Sequence, residues 1–231
     1  MIAIIIDDLG NKSSDMQVIE LPGAVACSFL PHTPHTPRLA KLAHARNKEV
    51  MLHVPMEAMR DNQKLGPGRL MLDMTESEFA KTIQDDLAAV PHVQGINNHM
   101  GSLLTRHPGH MLWLMQEINR HGDLFFVDSR TTSQSIAKMV AKENDVPSLT
   151  RDIFLDANQG EDFVEKQFNR LLKIARTHGS ALAIGHPYPA TMKVLKRKLQ
   201  QLESEQVDLV PVSTLLKYRQ GKATWQVSLS H

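Results

Sequence analysis

The sequence predicts a single-domain α/β protein, an irregular (β/α)7-8 TIM-like barrel. Three observations point there. About eight short apolar or β-branched runs recur along the 231 residues, near-continuously apolar as buried parallel strands are. Amphipathic helical stretches lie between most of them, the alternation of a parallel sheet covered by helices. The runs end in acids and histidines, where ordinary connections carry Gly, Ser, Pro or Asn.

Taken in order, the first run is Ile2–Ile6 of MIAIIIDDLG, and it ends in Asp7 and Asp8. One Asp there is a good helix cap; two are more than a cap needs. Neighbouring residues of a strand point to opposite sides, so both acids face one cavity only if the chain turns at once, which Leu9-Gly10 permits. The second run, Ala24–Leu30, holds the single cysteine, Cys27, which reads as a buried thiol. The following LPHTPHTP, with His32 and His35, reads as an extended loop. The third run, Glu49–Val54, carries His53, left at the rim by Val54-Pro55, with Glu57 four residues on. Residues 58–73, with LGPGR, form a long loop, a feature usually functional or mobile.

Thr75 with Glu78 three residues later is a capping box that opens a helix. The fourth run, Val93–Asn97, ends in Asn97, Asn98 and His99. Pro108 starts a helix that Gly122 ends, and His107 and His110 at its start read as solvent-exposed. The fifth run, Leu124–Val127, ends in Asp128, Ser129 and Arg130; Asp128 and Arg130 by themselves make a surface pair of small worth. The sixth, Leu149–Leu155, contains Arg151 and Asp152 and ends near Asp156. A helix closes at Gly179, and the seventh run, Ala181–Ile184, ends in His186 between Gly185 and Pro187. A helix from Pro189, a last run Leu209–Val212 and a short helix VSTLLKYRQ follow. No linker or repeat divides the chain, so residues 1–219 are one domain and 220–231 a C-terminal tail.

Composition removes several function classes. Lys plus Arg number 26 against 25 Asp plus Glu, which implies no basic face for nucleic acid or an anionic membrane. No stretch is apolar enough to span a bilayer, and the opening residues read as a strand and not as a signal peptide. One cysteine forbids an internal disulfide. Histidine is the unusual count, at twelve. In a parallel barrel the ends of the runs share one cavity. Asp with two or three His in that cavity is a donor set for Zn²⁺ or a similar divalent ion.

The stretches IIIDDLG, LHVPME, GINNHMGS, FFVDSRT, RDIFLD and IGHPYP together resemble the divergent polysaccharide deacetylases of bacterial envelopes, distant relatives of the nodulation-type enzymes. The resemblance runs from Ile2 to about Leu216. It implies a metal-dependent hydrolase removing N- or O-acetyl groups from a periplasmic or extracellular carbohydrate by metal-activated water, with Zn²⁺ as the expected ion. It assigns Asp7 as base, His186 as acid, and Asp8, His53 and His99 as ligands, with Glu57 as the replacement if His99 lies too far away. The usual pair of histidines four residues apart is His53 and Glu57 here, and the fourth-strand arginine that orients the base is absent. Arg130 or Arg151 could take its place, and Asn98 and Asp128 complete the expected surroundings. The rival functions are a metal-dependent hydrolase of another substrate and a non-catalytic envelope protein that keeps the pocket. Aromatic residues are only 5%, which favours a small sugar over a long polysaccharide groove.

Overall fold

A computed structural model describes residues 1–228, with side chains to residue 221; residues 229–231 of the expected tail lie outside the described residues. One eight-stranded sheet carries the fold, in the order β6-β5-β4-β3-β2-β1-β8-β7. The strands are β1 (Ile2–Leu9), β2 (Ala26–Phe29), β3 (Val50–Met56), β4 (Val93–Met100), β5 (Phe125–Asp128), β6 (Ser148–Thr150), β7 (Ile153–Phe154) and β8 (Ala181–Gly185). Every pairing is parallel. The helices are α1 (Met16–Ile19), α2 (Thr36–Ala45), α3 (Glu76–Ala89), α4 (Pro108–His121), α5 (Ala137–Glu143), α6 (Glu161–His178), α7 (Pro189–Leu199) and α8 (Val212–Ser228).

The predicted barrel is present, as a curled sheet with one seam. The sixth apolar run splits: β6 pairs with β5, the chain steps sideways through Arg151 and Asp152, and β7 pairs with β8. The eighth run makes only a bridge, Leu209 to Ile2. Three other expectations need correction. Pro55 does not end the third strand, which runs on to Met56, and the fourth continues through His99 to Met100. Both segments pair in register to Pro55–His99 and Met56–Met100, so the ladder carries the chain past the proline. LPHTPHTP is not all extended, because Pro37 sits in the first turn of α2, where a proline costs no hydrogen bond. The last helix does not stop at Gln220 but reaches Ser228.

Two apolar layers hold the sheet. Ile2, Ile4 and Ile6 alternate outward into the main core under the helices. Ala3 and Ile5 face the concave side with Met51, Phe125, Val127, Leu149, Leu182 and Ile184, where Val212, Leu215 and Leu216 of α8 cover them. Each fully buried Ile or Leu contributes roughly 1.5–3 kcal/mol of transfer free energy. Gly95 is part of this layer: a Cβ on it would lie 2.4 Å from the Phe125 ring. The apolar filling ends there, and the next concave-side residues along the strands are polar: Asp7, Ser28, His53 and Asn97 are all buried. Cys27 is buried too, and burial pushes its thiol up to about 12, as befits an inert core residue.

Candidate functional site

The two acids of β1 do converge, both within 3.6 Å of His53 Nε2, and the turn that brings them there is at Asp8 itself, one residue before Leu9-Gly10. Asp8 has φ 62°, and the β1–β2 register shifts between Ile6 and Leu9. Asp is among the few residues that tolerate this left-handed geometry. The cap explanation fails, because Asp15 does the local work: its Oδ2 accepts from the Gly10 and Lys12 amides at 2.9 and 3.1 Å.

His53 sits between the acids. Its Nε2 lies 3.2 Å from Asp8 Oδ1 and 3.6 Å from Asp7 Oδ2. His99 brings Nδ1 to 2.9 Å from the same Asp8 Oδ1. Candidate ligand atoms of Asp8, His53 and His99 all lie within 4.8 Å of one another. Asp8 Oδ1 is buried, yet neither imidazole is aligned to give it a hydrogen bond. One carboxylate oxygen and two ring nitrogens therefore converge without satisfying each other, which is the arrangement a divalent cation satisfies. Burial pushes the Asp8 carboxyl up, but the two imidazoles outweigh it and hold it well below the usual range. Burial lowers His53 and the charge of Asp7, with Asp8, more than reverses it, so its proton affinity is raised.

Asp7 is oriented by Asn97. The Asn97 Nδ2 donates to Asp7 Oδ1 at 2.8 Å and Oδ2 at 3.1 Å, and also to Ser129 Oγ at 3.3 Å. Its Oδ1 accepts from Ser28 Oγ at 2.7 Å and faces His53 Nδ1 at 2.9 Å. That second contact fixes the His53 tautomer so that Nε2 points to the acids. Asn97 was legible only as one of three polar residues on the fourth run. The missed signal is register: Asn97 pairs with His53 and shares a face with His99 two residues on.

His186 stands across from Asp8, with Nε2 3.7 Å from Asp8 Oδ2. Its orientation comes from Asp156, which faces Nδ1 at 2.9 Å, accepts the His186 amide at 2.6 Å and takes the Thr191 hydroxyl at 2.8 Å. Burial lowers the His186 pKa, but the Asp156 hydrogen bond and the charges of Asp8, Asp156 and Asp7 prevail and raise it to about 9. Tyr188 stacks on the His186 ring at 5.3 Å between centroids.

The other expected site residues hold other partners. His99 is close enough that Glu57 is not needed as a ligand. Glu57 holds the long loop instead, accepting from the Leu72 amide at 2.7 Å. Asn98 shapes the backbone, with Nδ2 on Met100 O and Oδ1 on the Ser129 amide. Asp128 makes no ion pair with Arg130; it accepts the Arg130 amide and the Ser135 hydroxyl. Arg151 donates to the carbonyls of Ser129 and Arg130, so neither arginine is the hydrogen-bond partner of Asp7. His110 is not simply exposed: its ring lies among Phe79, Trp113 and His107. His32 reaches Asp86 at 2.9 Å. Among the described residues no helix is long and apolar enough to cross a membrane.

The profile of a family described as divergent polysaccharide deacetylase matches residues 4–216. The protein YibQ of Escherichia coli (strain K12) is 37% identical over 216 residues, covering 93% of this chain and 67% of YibQ. A protein of Haemophilus influenzae is 35% identical over 215 residues, covering 93% of this chain and 76% of its own length. Among solved structures, protein ATU2773 of Agrobacterium tumefaciens C58 superposes with a TM-score of 0.88 at 21% identity, over 93% of this chain and 88% of that one. The Bacillus anthracis protein BA3943, a CE4 family pseudoenzyme, superposes with a TM-score of 0.55 at 14% identity, over 94% of this chain and 65% of that one. These two structures speak for the fold alone.

Proposed function

Because the chain belongs to the divergent polysaccharide deacetylase family, we propose that it is a metal-dependent hydrolase that removes N- or O-acetyl groups from a carbohydrate of the cell envelope. The observation that supports this reading most is the division between neighbouring acids. Asp8 meets two imidazoles that want a cation, while Asp7 is held by a neutral amide and keeps lone pairs free. Asp8, His53 and His99 would hold a divalent ion, with Zn²⁺ favoured by two nitrogens and an oxygen. Such an ion supplies Lewis acidity, activating a water and polarising an acyl oxygen.

The chain's own groups do the rest. Asp7 takes a proton from the attacking water through an oxygen lone pair that Asn97 leaves unused. His186 gives a proton to the leaving amine or alkoxide from Nε2, the nitrogen that faces Asp8. Asp156 on Nδ1 keeps that nitrogen aimed and favours the imidazolium needed by an acid. Tyr188 offers a ring face beside His186 for a sugar, and the scarcity of other aromatics favours a small substrate. The reading places the protein outside the inner membrane, where such carbohydrates occur.

The test has two readouts. Protein purified without chelator should hold about one equivalent of zinc, lost in Asp8→Ala and His99→Ala. Acetate release from N-acetylated oligosaccharides should fall by roughly 10²-fold or more in Asp7→Asn with metal retained. Equal metal in all three proteins would overturn the site. Metal retention with no acetate from any acetylated sugar would favour the rival reading, a binding pocket without turnover.

A further inference from the structure

The seam of the sheet is the part of the fold that the proposed reaction leaves unused. Where the chain lets go of β5 and takes up β8, a cavity of about 770 Å³ opens beside α5, α6 and α8. Its charged lining is Arg130, Lys138, Arg151 and Arg219 against Asp128 and Asp152. The two acids are already engaged. Asp152 pairs with Arg219 at 2.6 Å and accepts the Leu182 amide at 2.7 Å. Asp128 accepts the Arg130 amide at 2.7 Å and the Ser135 hydroxyl at 2.8 Å.

What remains is an excess of positive charge: Arg130, Lys138 and Arg151 stand against the one carboxylate of the lining that no cation pairs, Asp128. Arg151 Nε and Nη2 donate to carbonyls, which carry no charge, at 2.7 and 3.0 Å. Its guanidinium lies 4.8 Å over the Phe154 ring, which fixes its plane. Burial lowers the proton affinity of Arg151, and the nearby Arg130 adds to this against Asp128, Asp7 and Asp152. The Arg130 guanidinium and the Lys138 ammonium have no carboxylate partner among the described residues. The hydroxyl of Thr150, on the same wall, is buried without a hydrogen-bond partner. Two guanidinium groups, an ammonium and an orphaned hydroxyl around one cavity match an oxyanion, which guanidinium binds through paired N–H donors.

The cavity is also wired to the cluster. Arg151 holds the Ser129 carbonyl, and Asn97 donates both to the Ser129 hydroxyl and to Asp7. We propose that the seam cavity binds an oxyanion group, carboxylate or phosphate, carried by the acetylated sugar that the neighbouring site acts on. The substrate class is thus an anionic N- or O-acetylated sugar. The assignment of the sugar rests on the hydrolase reading; the oxyanion site does not.

The test uses the full chain stripped of metal with EDTA, so that hydrolysis plays no part. Thermal unfolding is followed against inorganic phosphate, N-acetylglucosamine 6-phosphate and N-acetylglucosamine, at fixed low ionic strength because screening weakens such contacts. Both phosphates should raise the Tm saturably, and the neutral sugar should not. In Arg130→Gln/Lys138→Gln the half-saturating concentration should rise tenfold or more. Both side chains are exposed, so the variant should fold. No saturable rise with either phosphate, or an unchanged half-saturation in the variant, would overturn the site. Binding of inorganic phosphate without binding of the sugar phosphate would overturn the substrate class. Failure of the hydrolase reading shows separately, as absent acetate release from metal-loaded protein that binds the sugar phosphate when stripped.

Discussion

Asn97→Asp is the most informative single change, because it preserves shape and reverses one set of dipoles. The new carboxylate keeps an acceptor for Ser28 and His53 but loses the amide that donates to Asp7 at 2.8 and 3.1 Å. Two ionised carboxylates about 3 Å apart repel by about 5 kcal/mol at an effective dielectric of about 20. Taking up one proton at pH 7 costs about 4 kcal/mol for a carboxyl whose ordinary pKa is near 4. The proton is the cheaper route, so the folded variant binds one more proton than the unfolded chain. A carboxyl raised in the folded state contributes fully below its unfolded pKa and loses that contribution as pH rises. His53, whose proton affinity is raised and which faces both carboxylates, offsets part of the repulsion, so the variant should be less stable than wild type by up to about 4 kcal/mol at pH 7 and up to about 1 kcal/mol at pH 5. Urea denaturation of both EDTA-treated proteins at pH 5, 6 and 7 measures the gap. A gap that stays constant across the three, or is absent at pH 7, would refute the claim that the Asn97 amide donates to Asp7.

Three further outcomes are expected. His186 has its pKa raised to about 9 in the metal-free protein, so its contribution is complete below about 6.5 and disappears as pH rises through about 9; His186→Gln should flatten that loss in a pH series of melts, and an unchanged slope would contradict it. Asp86, buried and next to Asp85, has its pKa raised to about 8, so Asp86→Asn should gain on wild type progressively between about pH 4 and 8 and then level off, whereas a pH-independent difference would rule out a titrating Asp86. Gly10→Ala should destabilise by about 3 kcal/mol, since φ is 112° and the new Cβ would lie 1.9 Å from Thr36 Oγ1 and 2.3 Å from Thr33 Oγ1; a wild-type midpoint in urea would count against the backbone placed there.

Much of the site was legible in order along the chain. Asp7, Asp8, His53, His99 and His186 each close or nearly close an apolar run, and a parallel sheet gathers such residues at one end. The sequence misjudged where partners are shared. Arg130 and Arg151 are the nearest cations in sequence logic, yet both guanidinium groups line the seam, and a neutral amide holds Asp7. The role of Asp156 was hidden likewise, because its link to His186 spans 30 residues and two different strands.

Apolar periodicity and the polar ends of the runs determined the α/β barrel and most of the cluster, because a strand's burial and its final residues are local properties. The seam, the left-handed turn at Asp8 and the choice of Asn97 over arginine were decided only by tertiary structure. Each depends on register between strands distant in sequence, and no local pattern encodes which side chains that register sets face to face.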